Sequence, residues 1–148
     1  MKRLSSGALA LVLALCAAPA FAGDAQATQN KELVLRFYQQ LFGDKDVSAI
    51  DRYLAEGYIQ HNPMVPTGRA PVRLLFEKIF AGAPKTQVDI RRVAADGDLV
   101  WLHVRAPGPD GRVSAIVDIF RVEGGRIAEH WDVIQPVPEQ AANTNTMF

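Results

Sequence analysis

The sequence has one cysteine, Cys16, and it lies in an apolar stretch close to the N-terminus. A single cysteine cannot form an internal disulfide, and it cannot supply the several thiolates of a structural zinc site. Histidine is also scarce, with three in 148 residues and none at His-x-His or His-x₃-His spacing. These scarcities exclude a disulfide scaffold and argue against a metal centre, so we expect no metal.

The chain has no excess of charge of either sign, since 16 basic residues face 16 acidic ones. Proteins that bind a phosphate backbone present a clustered basic surface. No basic stripe of that kind occurs, and we therefore expect no nucleic-acid partner.

Long hydrophobic runs are missing too. The apolar run 9–18 falls short of the roughly 20 residues that a membrane-spanning helix needs, which disfavours a membrane anchor. Lys2 and Arg3 precede it, and Ala20-Phe21-Ala22 follows as a small-x-small cleavage site. This order predicts a signal peptide over 1–22, cleaved after Ala22, and a periplasmic or secreted protein that leaves the membrane. Cleavage removes two basic and no acidic residues, so the net charge becomes about −2.

The remaining chain has the size of one domain, which we place at 23–135, with a polar, flexible tail over 136–148. Apolar residues at helical spacing predict a helix over 29–42 and a short helix that Asp46 caps and Gly57 ends. A third helix begins near Pro71, which suits a first turn. The segment 58–63 reads as a short extended stretch ended by Pro63.

After Lys85 the apolar pattern changes from helical to alternating. Strands are predicted over 86–93 and 99–106, and a hairpin follows with Gly124-Gly125 at its turn. Three helices followed by a four-strand antiparallel meander indicate an α+β fold in which helices cover one sheet face.

The alternation of side chains along strands places a candidate site on the hairpin. Asp118 shares its strand face with apolar residues, and His130 and Asp132 share one face of the second strand. A carboxylate on an apolar face is costly to desolvate, which favours its taking up a proton. The opposite face carries Val117, Ile119, Trp131 and Val133. An open apolar sheet face usually binds a partner, and we expect a homodimer there.

Two segments resemble a known family. Tyr-Ile-Gln-His-Asn-Pro at 58–63, followed by Gly68, and the hairpin 117–135 are similar to the entry motif and the closing hairpin of the SnoaL-like polyketide cyclases, which belong to the nuclear-transport-factor-2-like superfamily. The resemblance covers nearly all of the chain after the signal peptide. It implies the cone fold of that superfamily, with three N-terminal helices packed on a curved antiparallel sheet.

The resemblance also implies a chemistry. Characterised cyclases of the group use an aspartate as the acid/base of an intramolecular aldol condensation, without metal or cofactor, and Asp118 matches that aspartate. We therefore expect acid/base chemistry next to a carbonyl group, giving aldol cyclisation, isomerisation or dehydration. The alternative is a periplasmic small-molecule-binding module without catalysis. In either case the ligand is expected to be a small, hydrophobic carbonyl compound.

Each of the remaining candidate residues has two possible roles. His61 is a candidate donor to the enolate or a loop residue that caps backbone groups. His103 faces the pocket as a second donor, or it lies outside while the aliphatic residues of its strand form the core. His130 and Asp132 form a supporting pair or line a wet cavity. The expected pocket wall consists of Tyr38, Tyr58, Phe76, Ile116 and Phe120.

Overall fold

The computed structural model describes the backbone of residues 20–148 and the side chains from residue 25. The predicted signal peptide lies outside the described residues, apart from Ala20 to Ala22. In the described part of the chain, no helix has both the length and the apolar character needed to cross a membrane.

Three α-helices and the first strand come first along the chain, and four further strands follow. The helices are α1 (Ala20–Tyr38), a π-helical turn (Gln39–Gly43), α2 (Ser48–Tyr53) and α3 (Arg69–Ile79). The strands are β1 (Leu54–Gln60), β2 (Asp89–Asp96), β3 (Leu99–Pro107), β4 (Val113–Glu123) and β5 (Arg126–Pro136), with β1 between α2 and α3.

The α+β fold is confirmed, but the sheet has one strand more than predicted. Its order is β1-β5-β4-β3-β2, and β2 to β5 form the predicted antiparallel meander. β1 lies parallel to β5, so the sheet is mixed. The sequence predicted an extended chain only from residue 58 and assigned the start of β1 to a helix ending at Gly57, whereas α2 ends at Tyr53. The pairing of β1 could not be predicted, because its hydrogen-bonding partner lies some seventy residues away. β2 also begins later than predicted, at Asp89.

The first helix changes its winding just before the chain turns. Asp44 N–H bonds to the Gln39 carbonyl at 2.8 Å, which closes the wider π-helical turn in place of the predicted α-helical end. The chain then packs against the segment before β2, where Thr86 N–H donates to the Gly43 carbonyl at 2.9 Å. A Cβ at Gly43 would lie 2.8 Å from the Thr86 carbonyl oxygen, so a glycine is needed here.

The hairpin of β4 and β5 turns at Gly124 and Gly125, whose φ angles of 56° and 73° suit a left-handed two-residue turn. The pairing of the two strands is irregular next to this turn. Arg121 lies opposite Glu129, but Val122 lies opposite Ile127, so β5 has one extra residue at this point. The extra residue brings Ile127 onto the inner face, where it is fully buried. Alternation along β5 without that extra residue would place Ile127 on the outer face with Trp131 and Val133.

The core lies between the helices and the inner face of the sheet. It contains Val34, Phe37, Leu41, Ile50, Leu54 and Val72 from the helical side and β1, and Val100, Leu102, Val104, Phe120, Val122 and Ile127 from the sheet. Within residues 20–148, no helix covers the outer face. The tail after Pro136 forms no helix or strand, and the ring of Phe148 stacks 6.0 Å from the His103 ring on that outer face. The flexibility of the tail stays a prediction.

Candidate active site

Asp118 is the centre of the candidate site. It lies in the middle of β4 on the inner face, as predicted, and 5% of its surface is exposed. Its Oδ2 accepts a hydrogen bond of 2.9 Å from the Tyr38 hydroxyl, and its Oδ1 lies 3.0 Å from His130 Nε2. A carboxylate with a partner on each oxygen can stay buried, because each hydrogen bond compensates for lost hydration.

His130 reaches Asp118 diagonally across the hairpin. In the register, His130 lies opposite Phe120, the next inward residue after Asp118, and the two rings are 4.7 Å apart. The other ring nitrogen, Nδ1, lies 2.9 Å from Oε1 of Gln60 on β1. The expected pairing of His130 with Asp132 is therefore wrong, since Asp118 and Gln60 occupy both nitrogens.

Asp132 lies directly opposite Asp118 in the hairpin register, and Asn62 holds it. The Asn62 amide nitrogen is 2.9 Å and 2.7 Å from the two carboxylate oxygens. The orientation of that amide is fixed, because its Oδ1 accepts the Met64 N–H at 2.8 Å. Asp118, His130 and Asp132 thus lie on one face of the sheet. Strand alternation had placed His130 and Asp132 together but left open whether Asp118 lies on the same face.

Two buried tyrosines border the carboxylates. Burial and, to a smaller extent, the charge of Asp118 raise the pKa of Tyr38 well above its ordinary value. Burial also raises the pKa of Tyr58, with further contributions from Asp118 and Asp132. Both hydroxyls therefore stay protonated in neutral solution. The Tyr38 hydroxyl donates to Asp118, and the Tyr58 hydroxyl accepts a hydrogen bond from Gln60.

His61 does not enter the site, and its placement there is wrong. Its neighbour Gln60 points inward on β1, so alternation turns His61 to the outer face. There its Nε2 lies 2.7 Å from Glu129 and its ring stacks on Trp131 at 4.7 Å and 6°. The side chain is 40% exposed.

His103 lies on the outer face as well, which corrects the pocket placement. The aliphatic residues of β3, Val100, Leu102 and Val104, are almost fully buried and form the core side of the strand. Alternation then turns His103 outward, where its Nδ1 lies 3.0 Å from an Arg92 guanidinium nitrogen. Burying three aliphatic side chains outweighs placing one imidazole inside.

Of the expected wall residues, four lie near the carboxylates. Tyr38 forms a hydrogen bond with Asp118, and the charges of both carboxylates contribute to the raised pKa of Tyr58. Ile116 and Phe120 flank Asp118 on the inner face of β4. Phe76 lies further away. It is half-buried on α3 and packs on Phe42, whose ring in turn contacts Tyr38 at 4.6 Å.

Gln60 and Asn62 belong to the site, although sequence reasoning did not select them. Both lie in the motif 58–63, in which His61 was the predicted site residue. The signal that could have found Gln60 is its position two residues after Tyr58, because a strand would turn both side chains to one face. That signal required recognising 54–60 as a strand.

The site also contains three side chains that could together bind a cation. One ligand atom each from Asp118, His130 and Asp132 lies within 4.8 Å of the others. All of these groups already have protein partners, namely Tyr38, Gln60, Asn62 and one another. A cation would have to displace those hydrogen bonds, and the arrangement fits proton transfer better than metal binding.

Asp118 is nearly enclosed, whereas Asp132 is only partly buried. An open groove of about 450 Å³ runs over the sheet, lined mainly by Arg92, Ala94, Trp101, His103 and Val117. Trp101, His103 and Val117 belong to the outer face, so this groove does not lead to Asp118. The site is identified by its hydrogen bonds rather than by a cavity.

Comparison with known proteins gives one family. A family model described as the SnoaL-like domain matches residues 34–130, which span all elements from α1 to the middle of β5. No protein in the curated set matches this sequence.

Solved structures share the fold. An NTF2-like protein of unknown function from Mesorhizobium loti is 27% identical with a TM-score of 0.61, over 74% of this chain and 93% of that one. IdmH from Streptomyces antibioticus, described as a candidate polyketide cyclase, is 20% identical with a TM-score of 0.56, over 72% and 91%. An LEH-like epoxide hydrolase from M. tuberculosis is 21% identical with a TM-score of 0.60, over 74% and 84%. At such identities the last two show similarity of fold alone.

Proposed function

The chain belongs to the SnoaL-like domain family, and from that premise we propose that it catalyses proton transfer at a carbon next to a carbonyl group, using its own side chains. The observation that carries the proposal is the buried Asp118 carboxylate, with the Tyr38 hydroxyl on one oxygen and the His130 imidazole on the other. Fold relatives with different activities support an enzyme of this general type without choosing among reactions.

Asp118 would act as the general base. Its oxygen takes the proton, the C–H bond breaks, and the electron pair moves through the new C–C double bond onto the carbonyl oxygen. The resulting enolate either attacks a second carbonyl, which is an aldol reaction, or regains the proton at another carbon, which is an isomerisation. A neighbouring leaving hydroxyl would make the outcome a dehydration. A positioned base typically contributes a rate factor of roughly 10²–10⁴.

The surroundings of Asp118 support a small, hydrophobic carbonyl substrate. Ile116, Phe120 and the neighbouring core residue Phe37 are apolar and buried, and they offer no groups that would bind a charged ligand. His130 and the two tyrosines supply the polar contacts. An apolar site with a few convergent polar groups is the usual form of a small-molecule site.

The test is hydrogen exchange at the carbon next to a carbonyl. Cyclohexanone, acetophenone and 2-tetralone are incubated with the protein in D₂O, and loss of the α-proton signal is followed by NMR. Catalysis predicts faster exchange with at least one ketone, and a loss of about 100-fold or more in Asp118→Asn. Asp110→Asn is the matched control, because Asp110 lies in an exposed loop. Unchanged exchange in Asp118→Asn would refute the base assignment.

The second candidate function is a binding module without catalysis. It is favoured by the hydrogen bonds of the site, since every buried side-chain nitrogen and oxygen in the described residues has at least one partner. A site whose polar atoms are held in this way without substrate suits a protein that binds a ligand and does not react with it. This function predicts ligand-dependent rises in melting temperature with the same ketones, and no exchange above background.

Two further properties are part of the proposal. Residues 1–22 direct export to the periplasm or beyond, on the evidence of Lys2, Arg3, the apolar run and Ala20-Phe21-Ala22. The outer sheet face binds a second copy of the chain, as supported by the exposure of Val117 and Val133.

A further inference from the structure

The side-chain amide of Gln60 connects two parts of the site. Its Oε1 accepts the Asn62 N–H at 2.9 Å and lies 2.9 Å from His130 Nδ1. Its Nε2 donates to the hydroxyl oxygen of Tyr58 at 3.0 Å. The amide cannot be turned around, because a backbone N–H is always a donor and must face the oxygen. Gln60 therefore presents an acceptor to His130 and a donor to Tyr58.

The acceptor side fixes the form of His130. Because Gln60 Oε1 accepts, the hydrogen in that contact belongs to His130 Nδ1. The Nε2 of the same ring then shares one proton with Asp118 across 3.0 Å. The pair exists either as imidazolium and carboxylate or as neutral imidazole and carboxylic acid, and the first of these provides the free base.

The donor side fixes the direction of the Tyr58 hydroxyl. With Gln60 Nε2 occupying a lone pair of its oxygen, the hydroxyl hydrogen must point elsewhere. Within residues 25–148, no protein atom accepts that hydrogen, and 5% of Tyr58 is exposed. The hydroxyl hydrogen of Tyr38, by contrast, is committed to Asp118. Tyr58 is thus a buried donor without an acceptor, close to two carboxylates whose charges contribute to its raised pKa.

We propose that Tyr58 is a catalytic residue that donates its hydrogen bond to the carbonyl oxygen as that oxygen becomes an enolate. Gln60 is the positioning residue, because it turns the hydroxyl of Tyr58 and holds Nδ1 of His130 in its protonated form. The inference rests on the proposed function, since it supplies the oxyanion donor that proton abstraction by Asp118 requires. A donor already in place needs no reorganisation when the charge develops, which is the usual source of a large catalytic effect.

A phenolate serves as the probe, because its oxygen anion is conjugated with a planar carbon as in an enolate. The experiment uses 4-nitrophenol, whose ionised form is read from its visible absorption, and the neutral compound 4-nitrotoluene for comparison. The protein carries Asp118→Asn, which imitates the protonated carboxyl group present beside an enolate and removes charge repulsion. Affinities are measured in this background with and without Tyr58→Phe.

Tyr58→Phe is expected to weaken phenolate binding by about 10-fold or more, the range of a hydrogen bond to a charged group, and to leave 4-nitrotoluene binding unchanged. Tyr53→Phe is the matched control. Its hydroxyl also accepts a hydrogen bond from a side-chain amide, that of Gln40, at 3.1 Å, but it lies outside the Asp118 network. The control is expected to bind both compounds as the parent does.

Gln60→Met provides a second variant should Tyr58→Phe fold poorly. Methionine keeps the length of the side chain but neither donates to Tyr58 nor accepts from His130. Phenolate binding should fall in this variant too, whereas a role in packing alone would leave it unchanged. Equal phenolate affinity with and without Tyr58→Phe would overturn the inference and leave the base assignment of Asp118 standing. An Asp118→Asn protein that shows no preference for phenolate over 4-nitrotoluene would instead overturn the proposed function.

Discussion

The hydroxyl of Tyr38 donates a hydrogen bond of 2.9 Å to Oδ2 of Asp118, eighty positions further along the chain. This bond joins the end of α1 to the middle of β4. It also gives the buried carboxylate a partner that stays protonated, because burial raises the pKa of the tyrosine. The contact therefore contributes to the fold and to the site at once, and its removal should affect both.

Tyr38→Phe should lower the free energy of unfolding by about 1–3 kcal/mol, because it leaves one oxygen of a buried carboxylate without its donor. Urea denaturation of the variant and the parent measures the change. Tyr53→Phe, whose hydroxyl is bonded to Gln40, is the control and should cost less. A Tyr38→Phe protein as stable as the parent would show that water replaces the hydroxyl at Asp118.

Replacing the two outer-face histidines should leave the proposed chemistry intact. His61 pairs with Glu129 and His103 contacts Arg92, and both lie on the outer face of the sheet, opposite to the face of Asp118. We expect His61→Asn and His103→Gln to keep ketone exchange within about 3-fold of the parent, while His130→Asn lowers it by about 10-fold or more. NMR exchange in D₂O measures all three, and a large loss in either outer-face variant would contradict the assignment of faces.

Alkaline pH should destabilise the protein through its buried tyrosines. The folded-state pKa values of Tyr38 and Tyr58 are raised above the ordinary value of 10.0, so their contribution is fully present below about pH 10. Above that pH the unfolded chain releases these protons first, and stability falls as the pH rises toward the folded-state values.

Urea midpoints at about pH 8 and about pH 11 measure this effect. The decrease between the two should be smaller in Tyr38→Phe and in Tyr58→Phe, because each variant removes one buried phenol. Tyr53→Phe again serves as the comparison. A decrease of the same size in all four proteins would attribute the alkaline sensitivity to other groups.

A charge on the outer face should disrupt the proposed homodimer. Val133 is 67% exposed on β5, beside Trp131, and Val133→Asp would bring a carboxylate into an apolar interface. Light scattering at micromolar concentration should give a dimer for the parent and a monomer for the variant. Leu74→Asp is the control, because Leu74 is exposed on α3. A monomeric parent protein would refute the interface.

Local pattern alone was enough for the antiparallel part of the fold and for the centre of the site. Alternating residues define β3, β4 and β5. Strand parity by itself places His130 and Asp132 on one face of β5, and Asp118 among the apolar residues of one face of β4. Such patterns can be read because each side chain's direction is set by its own position along a strand. The glycine pair of the hairpin, with its two positive φ angles, is local in the same way.

Tertiary structure decided what depends on distant pairing. β1 becomes a strand because β5 lies beside it, and this pairing turns Gln60 and Tyr58 toward Asp118 while it turns His61 outward. The irregular register near Val122 buries Ile127, and core packing of β3 sends His103 to the outer face. The sequence by itself therefore determined which hairpin residues are candidates for the proposed chemistry. The contacts that hold them, from Tyr38 and Gln60, arose only when segments some seventy to eighty residues apart packed together, and no local pattern encodes that.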